Sequence, residues 1–278
     1  MRNPGRVSKV LVVACLAAAL VCGSAFAGRS LKQTRSTTSI GGSDPGSVTA
    51  KCRGDSKVIS GGFETEFDTI AEQPNVQINE SRRAGRKQWT AGAVNVAPGP
   101  SGDLTSFAYC RDQRLKKRSK TTGVAQNETG SVTAKCPKGT KAVSGGFEGD
   151  DGSYFELRSS HRSGGRRWEV SGYNYGQPGE LKATVYCRDG TKLKTAAASG
   201  TVSYADWPDD VYTEVEARCA RGRTSVSGGF QTDGFAVVRD SAKLGNGWRL
   251  AATATPVAPF ETVGVTVFAY CEKKTRKK

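Results

Sequence analysis

Ser131-Val132-Thr133-Ala134-Lys135-Cys136, with Ser144-Gly145-Gly146-Phe147 beginning eight residues after the cysteine, is the stretch on which the fold turns. The first six residues recur letter for letter as Ser47-Val48-Thr49-Ala50-Lys51-Cys52, and more loosely as Glu214-Val215-Glu216-Ala217-Arg218-Cys219. Ser-Gly-Gly-Phe follows at the same distance in the other copies, at Ser60–Phe63 and Ser227–Phe230. Each copy then has one tryptophan behind a glycine-containing turn (Trp89, Trp168, Trp248). Each closes on Tyr-Cys, at Tyr109-Cys110, Tyr186-Cys187 and Tyr270-Cys271. The first cysteines are spaced by 84 and 83 residues, so a tandem repeat organises the chain. Leu31-Lys32 and Leu115-Lys116, each 21 residues ahead of a first cysteine, draw the apparent linkers into the repeat. The third copy has Leu193-Lys194 and an insertion around Trp207-Pro208-Asp209-Asp210.

The local pattern is β. Leu181, Ala183, Val185 and Cys187 alternate onto one apolar face, as do Val263, Val265, Val267, Ala269 and Cys271. Gly85, Gly164-Gly165 and Gly245-Asn246-Gly247 predict a hairpin ahead of each tryptophan. No stretch beyond the first residues sustains a helical period. The expectation is an all-β protein of three tandem antiparallel β units, small sandwiches or β-prism-like, each with one internal disulfide. Whether the units are separate beads or a pseudo-threefold assembly is open from the sequence.

The N-terminal residues read as a secretory signal, with Arg2, Arg6 and Lys9 before the apolar run Val10 to Leu20 and Ala25-Phe26-Ala27 at a cleavage site. Val12-Val13-Ala14-Cys15 fits a lipidation box only loosely. The expected divisions are 1–27 for the signal peptide, 28–112 and 113–189 for the first two β repeats, and 190–278 for the third with its basic tail. Export implies a secreted, extracellular protein. The formal net charge of +15 falls to about +12 without the signal, which favours anionic partners. After the signal, no stretch is long and apolar enough to span a bilayer.

Six cysteines then remain, an even number suited to an oxidising compartment. They allow fifteen pairings. Repeat symmetry selects Cys52–Cys110, Cys136–Cys187 and Cys219–Cys271. A zinc site is disfavoured because there is no Cys-x-x-Cys and only one histidine, His161.

The glycines of Ser-Gly-Gly-Phe lack the following helix of a phosphate loop, so a bulge or close backbone approach is the expected role. His161 aligns with Arg82 and Ala242 and is expected at the surface of a hairpin, outside any repeated design. Glu148, Asp150 and Asp151 sit in a variable loop and are weak candidates for an acid/base pair or a calcium loop. No cofactor is expected, and no catalytic residue is assigned.

Ser81, Ser160 and Ser241 precede their tryptophans by seven or eight residues and are expected to face solvent. The hairpins also crowd cations, namely Arg83, Arg86, Lys87, Arg162, Arg166, Arg167, Lys243 and Arg249. These are the candidate binding residues, for an anionic polysaccharide or cell-envelope polymer. Arg114 to Lys120 and Lys273 to Lys278 add basic runs, expected as solvated tails. There is no nucleic-acid reader motif. Asn79-Glu80-Ser81 and Asn127-Glu128-Thr129 are sequons that matter only in a glycosylating host.

Across Cys136 to Phe147, then Trp168 and Tyr186-Cys187, the chain resembles uncharacterised secreted actinobacterial repeat proteins, which implies export and no particular activity. Cys52-Arg53-Gly54-Asp55 departs from that spacing by moving the glycine. The three copies with Gly-Phe between cysteines are also similar to the vitelline-membrane outer layer protein, whose three β repeats form a prism. That similarity implies fold alone. The leading expectation is a non-catalytic binding or envelope-associated protein. A secreted glycan hydrolase and a purely structural matrix or coat component are the alternatives.

Overall fold

Each copy of the repeat forms six antiparallel strands, and the three copies interlock by sharing sheets. The computed structural model describes residues 31–41, 45–66, 76–95, 102–150, 154–190, 192–203, 212–254 and 262–274. The expected signal segment, Asp151, the insertion around Trp207 and residues 275–278 lie outside them. Among the described residues there is no helix, and so none long and apolar enough to cross a membrane.

The first copy contributes β1 (Lys32–Ile40), β2 (Pro45–Lys51), β3 (Lys57–Glu66), β4 (Val76–Gly85), β5 (Gln88–Asn95) and β6 (Gly102–Arg111). The second contributes β7 (Lys116–Val124), β8 (Glu128–Lys135), β9 (Thr140–Gly149), β10 (Phe155–His161), β11 (Arg167–Asn174) and β12 (Gly179–Asp189). The third contributes β13 (Lys194–Ser203), β14 (Tyr212–Arg218), β15 (Arg223–Thr232), β16 (Ala236–Leu244), β17 (Gly247–Ala254) and β18 (Thr262–Lys273). Three six-stranded sheets result, ordered β1-β6-β3-β16-β17-β14, β2-β5-β4-β9-β12-β7 and β13-β18-β15-β10-β11-β8. Every sheet therefore joins half of one copy to half of another. Within a copy the two halves belong to different sheets, and cyclic repetition closes the whole into a three-sided prism.

The basic run at Arg114 to Lys120 is not a free tail, since its larger part lies in edge strand β7. Lysines along an exposed edge discourage pairing with another chain.

The three disulfides are Cys52–Cys110, Cys136–Cys187 and Cys219–Cys271, each with a Cα–Cα distance of 5.7 Å. The opening cysteine follows β2, β8 or β14, and the closing one lies in β6, β12 or β18, so each bridge ties one sheet to the next. Such bonds suit an oxidising environment.

The motif Ser-Gly-Gly-Phe supplies four different contacts. The serines form a ring through the three copies. Ser60 Oγ donates to the Val226 carbonyl, Ser227 to Val143 and Ser144 to Ile59, all at 2.5 Å. A Cβ on the first glycine would enter the tryptophan ring of the same copy, 2.2 Å from Trp89 at Gly61 and 2.1 Å from Trp168 at Gly145. On the second it would strike a neighbouring copy's backbone, 2.3 Å from the Ser241 carbonyl at Gly62. The phenylalanines meet edge to face, with Phe63, Phe147 and Phe230 centroids 6.1, 6.4 and 6.5 Å apart. Equivalent residues that touch one another must lie on the symmetry axis, so this trio marks it. One apolar cluster contains residues from all three copies, and the core is shared.

The tryptophans are almost fully buried, and their indole N–H groups explain the serines before them. Trp89 donates to Ser81 Oγ at 3.0 Å, Trp168 to Ser160 at 3.1 Å and Trp248 to Ser241 at 3.0 Å. The expectation that these serines face solvent is therefore corrected: all three are buried. A buried indole N–H needs an acceptor, and a hydroxyl facing it from the adjacent strand is the shortest way to provide one.

Candidate anion-binding end face

Strand register separates the prism into two ends of opposite charge. At one end lie the cysteines and the β4–β5, β10–β11 and β16–β17 turns, where Lys32 pairs with Cys110, Lys57 with Arg111 and Lys51 with Gln88. The turns are pinned there by their own copies: Val58 N–H donates to the Arg86 carbonyl at 3.0 Å, Ala142 to Gly165 at 3.1 Å and Ser225 to Asn246 at 3.1 Å. The acids described at this end are Asp55, Asp112, Asp189, Glu216, which pairs with Arg218 at 2.7 Å, and Glu272, with Glu169 opposite His161, against a larger number of lysines and arginines. At the opposite end stand Glu66, Asp103, Glu128, Asp150, Glu180 and Asp233, with two cations reaching in, Arg158 over the Phe235 ring at 4.3 Å and Lys182 beside Asp150 and Glu180.

Seven of the eight cations singled out in the sequence lie at the hairpin end. Arg83, Arg162 and Lys243 occupy equivalent places, and each donates its backbone N–H at 2.7 Å to a tyrosine hydroxyl of another copy, from Tyr186, Tyr270 and Tyr109 respectively. The Arg83 guanidinium also sits 4.7 Å from the Tyr186 ring centre, and that of Arg162 5.9 Å from Tyr270. Burial pulls all three side chains below their ordinary pKa values, and nearby Arg86 and Lys274 add to this at Arg83 and Lys243. Lys87 Nζ donates to the Gly54 carbonyl, and Arg166 donates twice to the Cys136 carbonyl. Arg86 and Arg167 are exposed.

Arg249 stands apart. It follows Trp248, so the strand pleat turns it to the opposite face from the indole, where it pairs with Glu64 at 2.7 Å, Glu214 at 4.0 Å and Asp240. The sequence pattern missed Arg111, Arg188 and Glu272, each immediately after a closing cysteine. They converge across copies, with Arg111 at 2.5 Å and Arg188 at 3.6 Å from the Glu272 carboxylate. Their shared position after Tyr-Cys was the available signal.

Features suggestive of catalysis are occupied otherwise. Glu148 lies within β9 and not in the acidic loop expected, held by Lys182 at 2.8 Å and Arg82 at 3.1 Å, and Asp150 accepts the Glu180 amide. A recess of about 170 Å3 is lined by Thr121, Glu148, Gly149, Asp150, Glu180 and Lys182. Carboxylates oppose each other across two inter-copy seams, Glu80 with Glu148 and Asp240 with Glu64, and both pairs are bridged by arginine. His161 is half-buried and not the surface group expected. It stacks on Phe268 with centroids 5.3 Å apart, and burial lowers its pKa. Among the described residues no cluster of His, Cys, Asp and Glu forms a metal-ligand set.

At the acidic end, Glu156 is buried beside the axis and accepts the Tyr175 hydroxyl at 3.0 Å. Burial pushes its carboxyl up to about 7. The cavity it lines with Gln77 and Phe155 is about 10 Å3, room for roughly one water.

No known protein family matches the chain, and no curated protein matches it.

Proposed function

We propose that this is a secreted, non-catalytic binding protein of the cell envelope that holds an anionic polysaccharide against its hairpin end. The observation that carries the reading is the gathering of Arg83, Arg86, Lys87, Arg162, Arg166, Arg167 and Lys243 at one end, with acids concentrated at the other. Oriented charge of this kind draws a polyanion to one face and repels it from the other. Rigid backing supports the same reading, because each hairpin is fixed by backbone bonds and buried tyrosines and loses little freedom on binding. The resemblance to exported repeat proteins and the three disulfides support secretion.

The test is retention on an acidic-polysaccharide resin across a salt series. Elution should shift strongly with ionic strength. Arg83→Ala combined with Arg86→Ala and Lys87→Ala should elute earlier, whereas Glu66→Gln with Asp103→Asn should not. Salt-independent retention, or equal effects at the two ends, would overturn the assignment.

A further inference from the structure

At the second copy's hairpin three cations approach the glycines of the turn itself. Lys141 Nζ and Arg162 Nη2 lie 3.5 and 3.9 Å from the point where a Cβ on Gly165 would sit, and Arg167 Nη2 lies 3.7 Å from the corresponding point on Gly164. Three positive head groups thus surround a two-glycine turn that projects no side chain between them. Among the described residues none of the three has a carboxylate within ion-pair distance. Unfilled donors lie beside them. Arg162 Nε and Ser163 Oγ are buried without a partner, and the amides of Gly164 and Gly165 donate no backbone hydrogen bond.

The equivalent positions show what normally answers such charge. Lys57, the first-copy counterpart of Lys141, pairs with Asp112 at 2.9 Å, whereas Asp189, the second copy's equivalent of Asp112, pairs with Lys116 at 3.6 Å. The third copy has Thr224 at that position and no cation to answer. Like charges converging on one point repel unless an anion sits among them, and buried donors are rarely left empty.

From this geometry we infer that the Gly164–Gly165 turn is a binding site for a phosphate group, free or carried on a polymer. A phosphate brings close to two negative charges at neutral pH and several acceptor oxygens, which suits three cations, a hydroxyl and two amides better than a lone carboxylate does. The inference rests on reading the hairpin end as anion-facing and narrows it to one chemical group at one turn.

The experiment uses thermal unfolding of the whole secreted chain with inorganic phosphate, ionic strength held constant with potassium chloride. Phosphate at about ten times its Kd should raise Tm by a few degrees, roughly 3 °C, through preferential binding to the folded state. Gly165→Asp places a carboxylate at the ligand's position on backbone that other residues adopt. It should raise Tm without phosphate and abolish the phosphate response. Lys141→Ala and Arg167→Ala should each weaken binding about tenfold, while Lys57→Ala should not. Equal shifts from chloride alone, or a full phosphate response in Gly165→Asp, would overturn the site.

Polysaccharide retention, measured on the same proteins, separates the two claims. Retention without a phosphate response removes the turn site and leaves the end-face reading. A phosphate response without retention does the reverse. Displacement of bound phosphate by a phosphate-bearing polymer assigns the polymer as the source, and failure to displace it assigns the free ion.

Discussion

The Tyr186 hydroxyl accepts the Arg83 amide at 2.7 Å while its ring meets Trp89 edge-on, with centroids 5.7 Å apart. One side chain of the second copy thus fixes both the core tryptophan and the cationic hairpin of the first. Tyr270 does the same for Trp168 and Arg162, and Tyr109 for Trp248 and Lys243.

Tyr186→Phe should therefore cost about 1–3 kcal/mol, since the ring contact survives but a half-buried N–H loses its acceptor. Urea denaturation would measure this, with Tyr109→Phe and Tyr270→Phe giving similar losses. A loss confined to one copy would argue against three equivalent joints.

Gly145→Ala should destabilise by about 3 kcal/mol or more, because the added methyl would overlap the Trp168 ring. Gly139→Ala is the control. It has φ of +85° and open space around it, so only backbone strain of about 1 kcal/mol is expected. Comparable losses would show that the tryptophan contact is not what fixes the first motif glycine.

Stability should fall as pH rises from about 4 to 8. Burial pushes Glu156 up to about 7 and Asp240 up to about 8, the latter against the pull of Arg249. Unfolded carboxyls titrate near 4, so the folded state holds the extra protons between those values. The stabilisation is complete below the unfolded value and is lost as pH rises through the folded one. Glu156→Gln should remove its share, on the order of 3 kcal/mol, and flatten the pH dependence of Tm. An unchanged slope would refute the assignment. Glu148 works the other way, but only in acid, because its Lys182 and Arg82 partners outweigh burial and hold it below the ordinary range.

Reduction of one disulfide should cost on the order of 4 kcal/mol for loops of this length, with sequence separations of 58, 51 and 52. Because each bond bridges two sheets, replacing Cys136 and Cys187 together with alanine should increase hydrogen exchange in β8 and β12 at once. Exchange changing in only one of them would contradict a joint role. Non-reduced peptide mapping should return the three pairings within copies.

Much of this was legible in sequence because it is local or repeated. Alternation places Val185 and Cys187 on one strand face whatever lies opposite them, and three aligned copies leave one symmetric pairing for six cysteines. The motif glycines could be read as points of close approach, but not what approached them, since the Ser241 carbonyl beside Gly62 comes from another copy. The buried place of Ser81 is not legible, because alternation gives a face without saying which indole lies across it. Lys141 carries no signal of its own within its strand, since its approach to the same turn as Arg162 and Arg167 depends on where the hairpin folds back.

The sequence by itself determined three β units, their internal disulfides and an excess of positive charge, all consequences of residue type and short-range order. Only the tertiary structure decided that the copies trade half-sheets around one core. That decision lies in contacts between residues far apart in the chain, such as Ser60 with Val226 and Phe63 with Phe230. The same closure sends every hairpin to one end, turning dispersed cations into a face and leaving the Gly164–Gly165 turn with positive charge that no carboxylate among the described residues pairs with.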